Sequence, residues 1–280
     1  RPLFYLVDGH AIAYRQYFAL QVSAFSTSAG EPTNAIYGFA RTVLDILQKD
    51  KPRYLAITFD MGLSGRDTLY GEYKGTREKM PDDLSRQIDR IFELVRAFNI
   101  PLLAYEGYEA DDVIGTVAAQ AAGQDFDLRI VTGDRDLLQL VNDHVTVKLF
   151  FPMRGVPDLV YDAARFREEY GGLEPHQLVD LKALMGDTSD NIPGVKGIGE
   201  KGALKLIQDY GSLENLYTHL DEIKGSQGQK LAAGRESAFL SKQLATIRRD
   251  APVTFDLKDC VAIDYDAAKV DELFRAFEFN

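Results

Sequence analysis

The sequence predicts an α/β fold: a mostly parallel central sheet with flanking helices, followed by a helical C-terminal part. Two observations carry this. Three short segments, "LFYLVD", "YLAITFD" and "LRIVTGD", are apolar, rich in β-branched and aromatic residues, and each gives way to a helical repeat. Strands and helices in alternation build a parallel sheet with helices on its faces. From about Leu173 onward the strand signal fades and helical patterns take over, so the second half is expected to be all-α.

The first strand ends at Asp8. A helix over 34–47 repeats apolar groups at Ile36, Phe39, Val43, Leu44 and Leu47, with Thr33 or Asn34 as its N-cap. The second strand ends at Asp60 and leads into "MGLSGRDTLYGEYKGTREKMPDD", residues 61–83. Gly62, Gly65, Gly71 and Gly75 are interspersed there with Arg66, Lys74, Arg77 and Lys79, which reads as a flexible basic insertion outside the core. The helix over 84–98 carries Leu84, Ile88, Ile91, Phe92, Val95 and Phe98, and "NIP" at 99–101 stops it. A fourth strand, "PLLAY", enters "EGYEADDVIG" at 106–115 and a buried helix starting near Ala110. The third acid-ended strand closes at Asp134. Open parallel sheets bind ligands beyond the carboxyl ends of their strands, and Asp8, Asp60 and Asp134 are expected on that rim.

The chain is long enough for one large domain or two modest ones, with a proper core. Its hydrophobic share of 45% is ordinary for a soluble protein, and no apolar run is long enough to span a bilayer. No signal-peptide pattern precedes the first strand. The start on Arg1 without a Met and the end at "FEFN" suggest a domain cut from a longer protein. A single cysteine, Cys260, excludes an internal disulfide framework and fits a reducing cytosol. His10, His144, His176 and His219 form no zinc spacing. The net charge of −11 argues against a polyanionic partner unless basic surface is concentrated locally.

The acids carry the chemistry. Taken singly, Asp8 and Asp60 read as turn residues and Asp111 and Asp112 as a helix N-terminus. Together they are harder to explain that way. Glu109 and Asp112 stand at i,i+3, Asp134 and Asp136 flank Arg135, and Asp187 and Asp190 again stand at i,i+3. If the fold gathers them, nine carboxylates converge: Asp8, Asp60, Glu109, Asp111, Asp112, Asp134, Asp136, Asp187 and Asp190. Such a cluster needs cations, and an oxygen-only donor set without His or Cys suits Mg²⁺ or Mn²⁺. Two such ions can steady both the attacking and the leaving oxygen of a phosphodiester.

"GIGEKG" matches a dinucleotide-binding glycine pattern, but it follows "SDNIPGVK", which is no strand, so the context is missing. A better reading takes "IPGVKGIGEKGALKLIQDYG" whole. The tight glycine turn before a helix over 200–210 exposes backbone N–H groups, with Lys196, Lys201 and Lys205 nearby to hold a phosphate. A plain helix–turn–helix connection is the alternative. No nucleotide P-loop and no nucleophile-elbow motif occurs.

With those residues in hand, the chain resembles the 5′-nuclease domains of bacterial DNA polymerases I, part of the flap endonuclease family. The resemblance runs over essentially the whole length. It rests on "LVDGHAIAYR", "YGFARTVLDIL", "FD" followed by "YGEYKGTR", "GYEADDVIGTVA", "TGDRDLLQLV" and "GDTSDNIPGVKGIGEKGALKLI". It implies a PIN-like nuclease core at 1–172 with a basic helical arch at 61–90. It also implies a helical DNA-binding part at 173–280, with a helix–three-turn–helix at 185–210. One metal ion is implied at Asp8, Asp60, Glu109 and Asp111, and a second at Asp134, Asp136 and Asp190, with Asp111 near both. Asp112 and Asp187 become outer ligands or supports. Arg15, Arg66, Lys74 and Arg77 match positions that contact the scissile phosphate or the threaded strand. Gly194, Lys196, Gly197, Gly199, Lys201 and Lys205 form the grip on duplex backbone. Where relatives often show a Phe before the arch arginine, this chain has Gly65 in the glycine-rich "MGLSG", so a more mobile arch is expected.

The activity implied is metal-assisted hydrolysis at 5′ flaps and 5′ ends of DNA, including RNA primers, by a two-metal mechanism in replication and repair. The cofactors implied are two or more Mg²⁺ ions, replaceable by Mn²⁺, with K⁺ at the helix–three-turn–helix. A monomer in the bacterial cytoplasm at the nucleoid is expected, attached to a polymerase domain in the full-length chain and away from membranes. The alternatives are a DNA-binding module without chemistry and a metal-dependent phosphatase acting on small esters.

Overall fold

The computed structural model describes residues 1–151, 155–262 and 265–279. One sheet is built from β1 (Leu3–Asp8), β2 (Tyr54–Thr58), β3 (Leu102–Leu103), β4 (Asp127–Thr132), β5 (Val145–Leu149) and β6 (Leu159–Tyr161), in the order β3-β2-β1-β4-β5-β6. The first five run parallel and β6 is antiparallel. β1 sits centrally, pairing Val7 with Ile57 on one side and Val131 on the other. Its run is apolar throughout because both sheet faces are covered. Phe4 and Leu6 enter one core, Tyr5 and Val7 the other.

The helices are α1 (Gly9–Ala19), α2 (Asn34–Asp45), α3 (Arg66–Leu69), α4 (Asp82–Ala97), α5 (Ala110–Ala121), α6 (Ala163–Glu169), α7 (Leu178–Met185), α8 (Glu200–Tyr210), α9 (Leu213–Thr218), α10 (Gly225–Ala233), α11 (Arg235–Ala245) and α12 (Ala267–Ala276). Ile12, Ile36, Ile91 and Val270 bring α1, α2, α4 and α12 against the Tyr5–Val7 face. Val113, Leu181, Ile207 and Leu231 bring α5 and the later helices to the opposite core. Among the described residues no helix is long and apolar enough to cross a membrane.

Three local findings differ from the sequence expectation. The strand expected over "PLLAY" shrinks to Leu102–Leu103, because Tyr105 turns away and exchanges hydrogen bonds with the backbone of Thr254. Thr33 precedes α2 but does not cap it with its side chain. That task falls to Gln87 of α4, whose Oε1 accepts from Ala35 and Ile36 N–H at 2.8 and 3.2 Å. Finally, the basic insertion is not wholly outside the core: Leu63, Tyr70 and Tyr73 pack on Ile192, Leu240 and Leu244.

Strand order reverses between β1 and β4. Such a switch point opens a crevice at the carboxyl ends of the strands. Asp8 closes β1, Asp60 lies two residues past β2, and Asp134 two past β4.

Candidate metal centre and nucleic-acid interface

Each acid of the crevice is fixed by backbone geometry. Asp8 caps α1 by accepting the Ala11 N–H at 3.2 Å and takes the Thr132 hydroxyl at 2.8 Å. Asp60 accepts the Ala110 N–H at 2.7 Å, which ties the end of β2 to the start of α5. Asp111 stands in the first turn of α5, and Asp134 accepts the Asp136 N–H at 2.9 Å. These four, with Glu109, His10, Tyr14, Lys74 and Arg77, line a cleft of about 530 Å³.

The electrostatics of this cleft are unbalanced. Among the described residues, no basic side chain pairs with Asp8, Asp111 or Asp134, and Asp60 has only His10 at 3.7 Å. Burial, then the charge of Asp60, pushes Asp8 up to about 7. Burial, then Asp134, Asp8 and Asp60, raises Asp111 well above the carboxylate range. Asp134 is raised by burial as well. Buried carboxylates that raise one another in this way are short of positive charge.

A second cleft of about 380 Å³ adjoins the first through Asp134 and Arg77 and is lined by Arg15, Asp136, Lys182, Asp187 and Asp190. Oxygens of Asp136, Asp187 and Asp190 lie within 4.8 Å of one another, a spacing that fits one metal ion. Here the charge is partly met from within. Lys182 bonds Asp136 and lies 2.8 Å from Asp187, and Arg77 pairs with Asp190. Burial and Asp134 still push Asp136 up to about 7. Asp187 is held below its ordinary range: burial opposes this, but Lys182 and Ser189 outweigh it. Sequence reasoning misses Lys182, since one lysine in an apolar α7 pattern gives no sign of the two acids it bridges. Arg15 reaches the Gly133 carbonyl, where a side chain on Gly133 would collide with it.

Arg66 and Asp112 lie behind the cleft, which for Asp112 is the supporting place the sequence allowed. Arg66 lines neither cleft; it is 6% exposed and all its N–H groups are used. They go to Glu109, to both oxygens of Asp112, and to the carbonyls of Leu244 and Thr246. Asp112 lines neither cleft. It is fully buried and accepts from Ser64, Arg66 and the Arg248 N–H, so it supports Glu109 from behind. Glu109 itself does line the cleft, gripped between Arg66 and Lys74. Burial raises it in spite of those two cations.

The glycine turn lies on the helical part. Gly186 and Gly194 back onto each other so closely that a Cβ on Gly194 would meet the backbone of Gly186, and both have positive φ. Gly194 is buried, its N–H is taken by Ser241 at 2.8 Å and its carbonyl by Ser237 at 2.6 Å. It shapes the turn, and both its backbone polar groups are engaged within the chain. The N–H groups of Gly197 and Gly199, by contrast, have no partner among the described residues, and Lys196, Lys201 and Lys205 are exposed beside them. Lys230 of α10 lies over the turn, its ammonium 3.4 Å from the Gly197 carbonyl.

A family model described as the 5′-3′ exonuclease N-terminal resolvase-like domain matches residues 3–171, and one described as the 5′-3′ exonuclease C-terminal SAM fold matches residues 173–268. The chain is 50% identical over 280 residues to the DNA polymerase I of Chloroflexus aurantiacus, covering 100% of this chain and 30% of that protein. It is 46% identical over 278 residues to that of Bacillus caldotenax, covering 98% and 31%. The chain thus spans about a third of the length of these curated relatives. Among solved structures, zinc-bound T5 5′-exonuclease is similar with a TM-score of 0.71 at 21% identity, covering 99% of this chain and 98% of that one. The catalytic core of Rad2 in complex with DNA substrate is similar at 0.62 and 20%, covering 99% and 86%. At such identities the likeness is one of fold.

Proposed function

The chain belongs to the 5′-3′ exonuclease family, and on that premise we propose that it is a structure-specific, metal-dependent nuclease. It hydrolyses phosphodiesters at 5′ flaps and 5′ ends of DNA, RNA primers included. The observation that carries this reading is the cation-poor centre of Asp8, Asp60, Asp111 and Asp134 at the sheet's switch point. Its donors are all carboxylate oxygens, which fits hard divalent cations. We propose Mg²⁺, replaceable by Mn²⁺, in two or more ions. Asp8, Asp60, Glu109 and Asp111 would hold one, and Asp134, Asp136 and Asp190 another, with Asp187 in support. Such ions polarise the phosphodiester and the water that attacks it.

The chain's own residues do the rest. Lys74 and Arg77 line the cleft and rest on Glu109 and Asp190. From there the two cations would face a phosphate held in the cleft and stabilise charge that builds on it. Arg15, beside Asp134, adds a third positive group. The Gly197 and Gly199 N–H groups with Lys196, Lys201 and Lys205 hold duplex backbone, so selection is by structure and not by base sequence. Supporting groups such as Arg66 and Asp112 act from behind Glu109.

K⁺ at the 185–210 turn, a monomeric state, a nucleoid location and a following polymerase domain belong to the same proposal. So does a division near residue 172 between nuclease core and helical part. A 5′-flap oligonucleotide labelled at both ends tests the reading. Cleavage that needs Mg²⁺, stops with EDTA and leaves a 5′-phosphate supports it; cleavage unaffected by EDTA overturns it.

A further inference from the structure

The base of the basic insertion is fastened to the acid loop 187–192 at several points. The Lys74 N–H donates to the Asp190 carbonyl at 2.8 Å, and the Arg77 Nε to the Ser189 carbonyl at 3.3 Å. The Asn191 side-chain amide donates to the Glu72 carbonyl at 2.8 Å. That carbonyl also accepts the Gly75 N–H at 2.8 Å, the bond that closes the turn around Lys74. The loop is itself stiff: Asp187 and Ile192 exchange two backbone hydrogen bonds at 2.9 and 2.8 Å. Tyr73, buried, packs against Ile192.

Lys74 has φ +56°, the left-handed region that a long L side chain rarely adopts. Such a conformation persists only where the surroundings over-determine it. The two bonds that do so are those from Lys74 to Asp190 and from Asn191 to Glu72. Asn191 also has φ +56°, but asparagine tolerates it.

We infer that Asn191 is a positioning residue for Lys74: by holding the Glu72 carbonyl it keeps the strained turn at Lys74 in place and its ammonium in the cleft beside Glu109. The inference deepens the nuclease reading and rests on it. Asn191 touches no reacting group; it acts through the backbone of another element. It also lies three residues ahead of Gly194, so the loop that ties down Lys74 runs directly into the glycine turn.

The test uses Asn191→Gly, which keeps the left-handed backbone and removes only the amide, and Asn191→Asp, which keeps the backbone and replaces the donor with an acceptor. Single-turnover cleavage of a 5′-flap oligonucleotide is measured for the wild type, Asn191→Gly, Lys74→Ala and the double variant. Asn191→Gly is expected to lower the rate about tenfold while the Kd for uncut flap DNA in Ca²⁺ stays unchanged. In the Lys74→Ala background it should add less than about twofold, since both changes then remove one function. Without DNA or metal, trypsin should cut after Lys74 and Arg77 faster in both Asn191 variants. Wild-type rates in Asn191→Gly, a loss that multiplies in full with that of Lys74→Ala, or unchanged trypsin protection would each overturn the inference. A wild type that cuts no 5′ flap in Mg²⁺ refutes the nuclease reading instead, and the trypsin comparison still judges the Asn191 tie.

Discussion

Arg66 and Asp112 form a two-point ion pair sealed from solvent, with Nη1 2.8 Å from Oδ2 and Nη2 2.9 Å from Oδ1. The same guanidinium lies 2.6 Å from Glu109. A cation that never faces the cleft thus sets the orientation of a side chain that does. Removing it strands two buried carboxylates, so Arg66→Ala is expected to cost about 3–5 kcal/mol. Arg66→Lys, which keeps the charge and loses the fork, should fall between the two. Urea unfolding checks both; an unchanged midpoint for Arg66→Ala would show that the network carries no stability.

The raised carboxylates make the metal-free protein sensitive to pH. Asp8 and Asp136 titrate near 7 in the folded chain and near 4 when unfolded. Between those values the folded state binds more protons, so stability falls as pH rises from about 4 and levels off above 7. Thermal unfolding in EDTA from pH 5 to 8 should show a falling Tm. Mg²⁺, which favours the ionised acids, should lift the upper end, and Asp8→Asn should flatten part of the slope. A Tm in EDTA that rises over that range contradicts the charge assignment.

Lys182 is the internal counter-charge of the second cluster. Lys182→Met leaves Asp136 and Asp187 without it and is expected to destabilise the metal-free protein by about 3 kcal/mol. Divalent ions bind only the folded cluster, so they should recover more stability in the variant than in the wild type. Equal Mg²⁺ effects on the two Tm values would show that Lys182 does not neutralise the ion site.

Duplex binding should depend on the exposed lysines of the glycine turn, Lys196, Lys201 and Lys205. Lys201→Ala is expected to reduce the slope of log K against log salt by about one for a lost phosphate contact. Fluorescence anisotropy with uncut DNA at 50–200 mM salt measures this. An unchanged slope in Lys201→Ala and Lys196→Ala would move the grip elsewhere.

Much of the cleft was legible because Asp8, Asp60 and Asp134 each follow a recognisable strand, and parallel strands deliver their ends to one rim. The helix at 200–210 was legible too, between a glycine turn and Gly211. What escaped depends on partners distant in sequence. Arg66 looks like any basic loop residue until Asp112, 46 positions on, is seen to close on it. The N–H of Gly194 looks available until Ser241 occupies it. β5 and β6 escaped because "VTVKL" alternates with polar residues and "LVY" is only three residues long, too little for an apolar strand pattern to stand out.

The central claim is that Asp8, Asp60, Asp111 and Asp134, which have no lysine or arginine partner among the described residues, take their counter-charge from divalent ions. Crystals soaked in Mn²⁺ test this most directly through the anomalous signal. The account predicts one peak among Asp8, Asp60, Glu109 and Asp111 and a second among Asp134, Asp136 and Asp190, the first lost in Asp111→Asn. Full soaking with no peak beside Asp8 and Asp111 would contradict it.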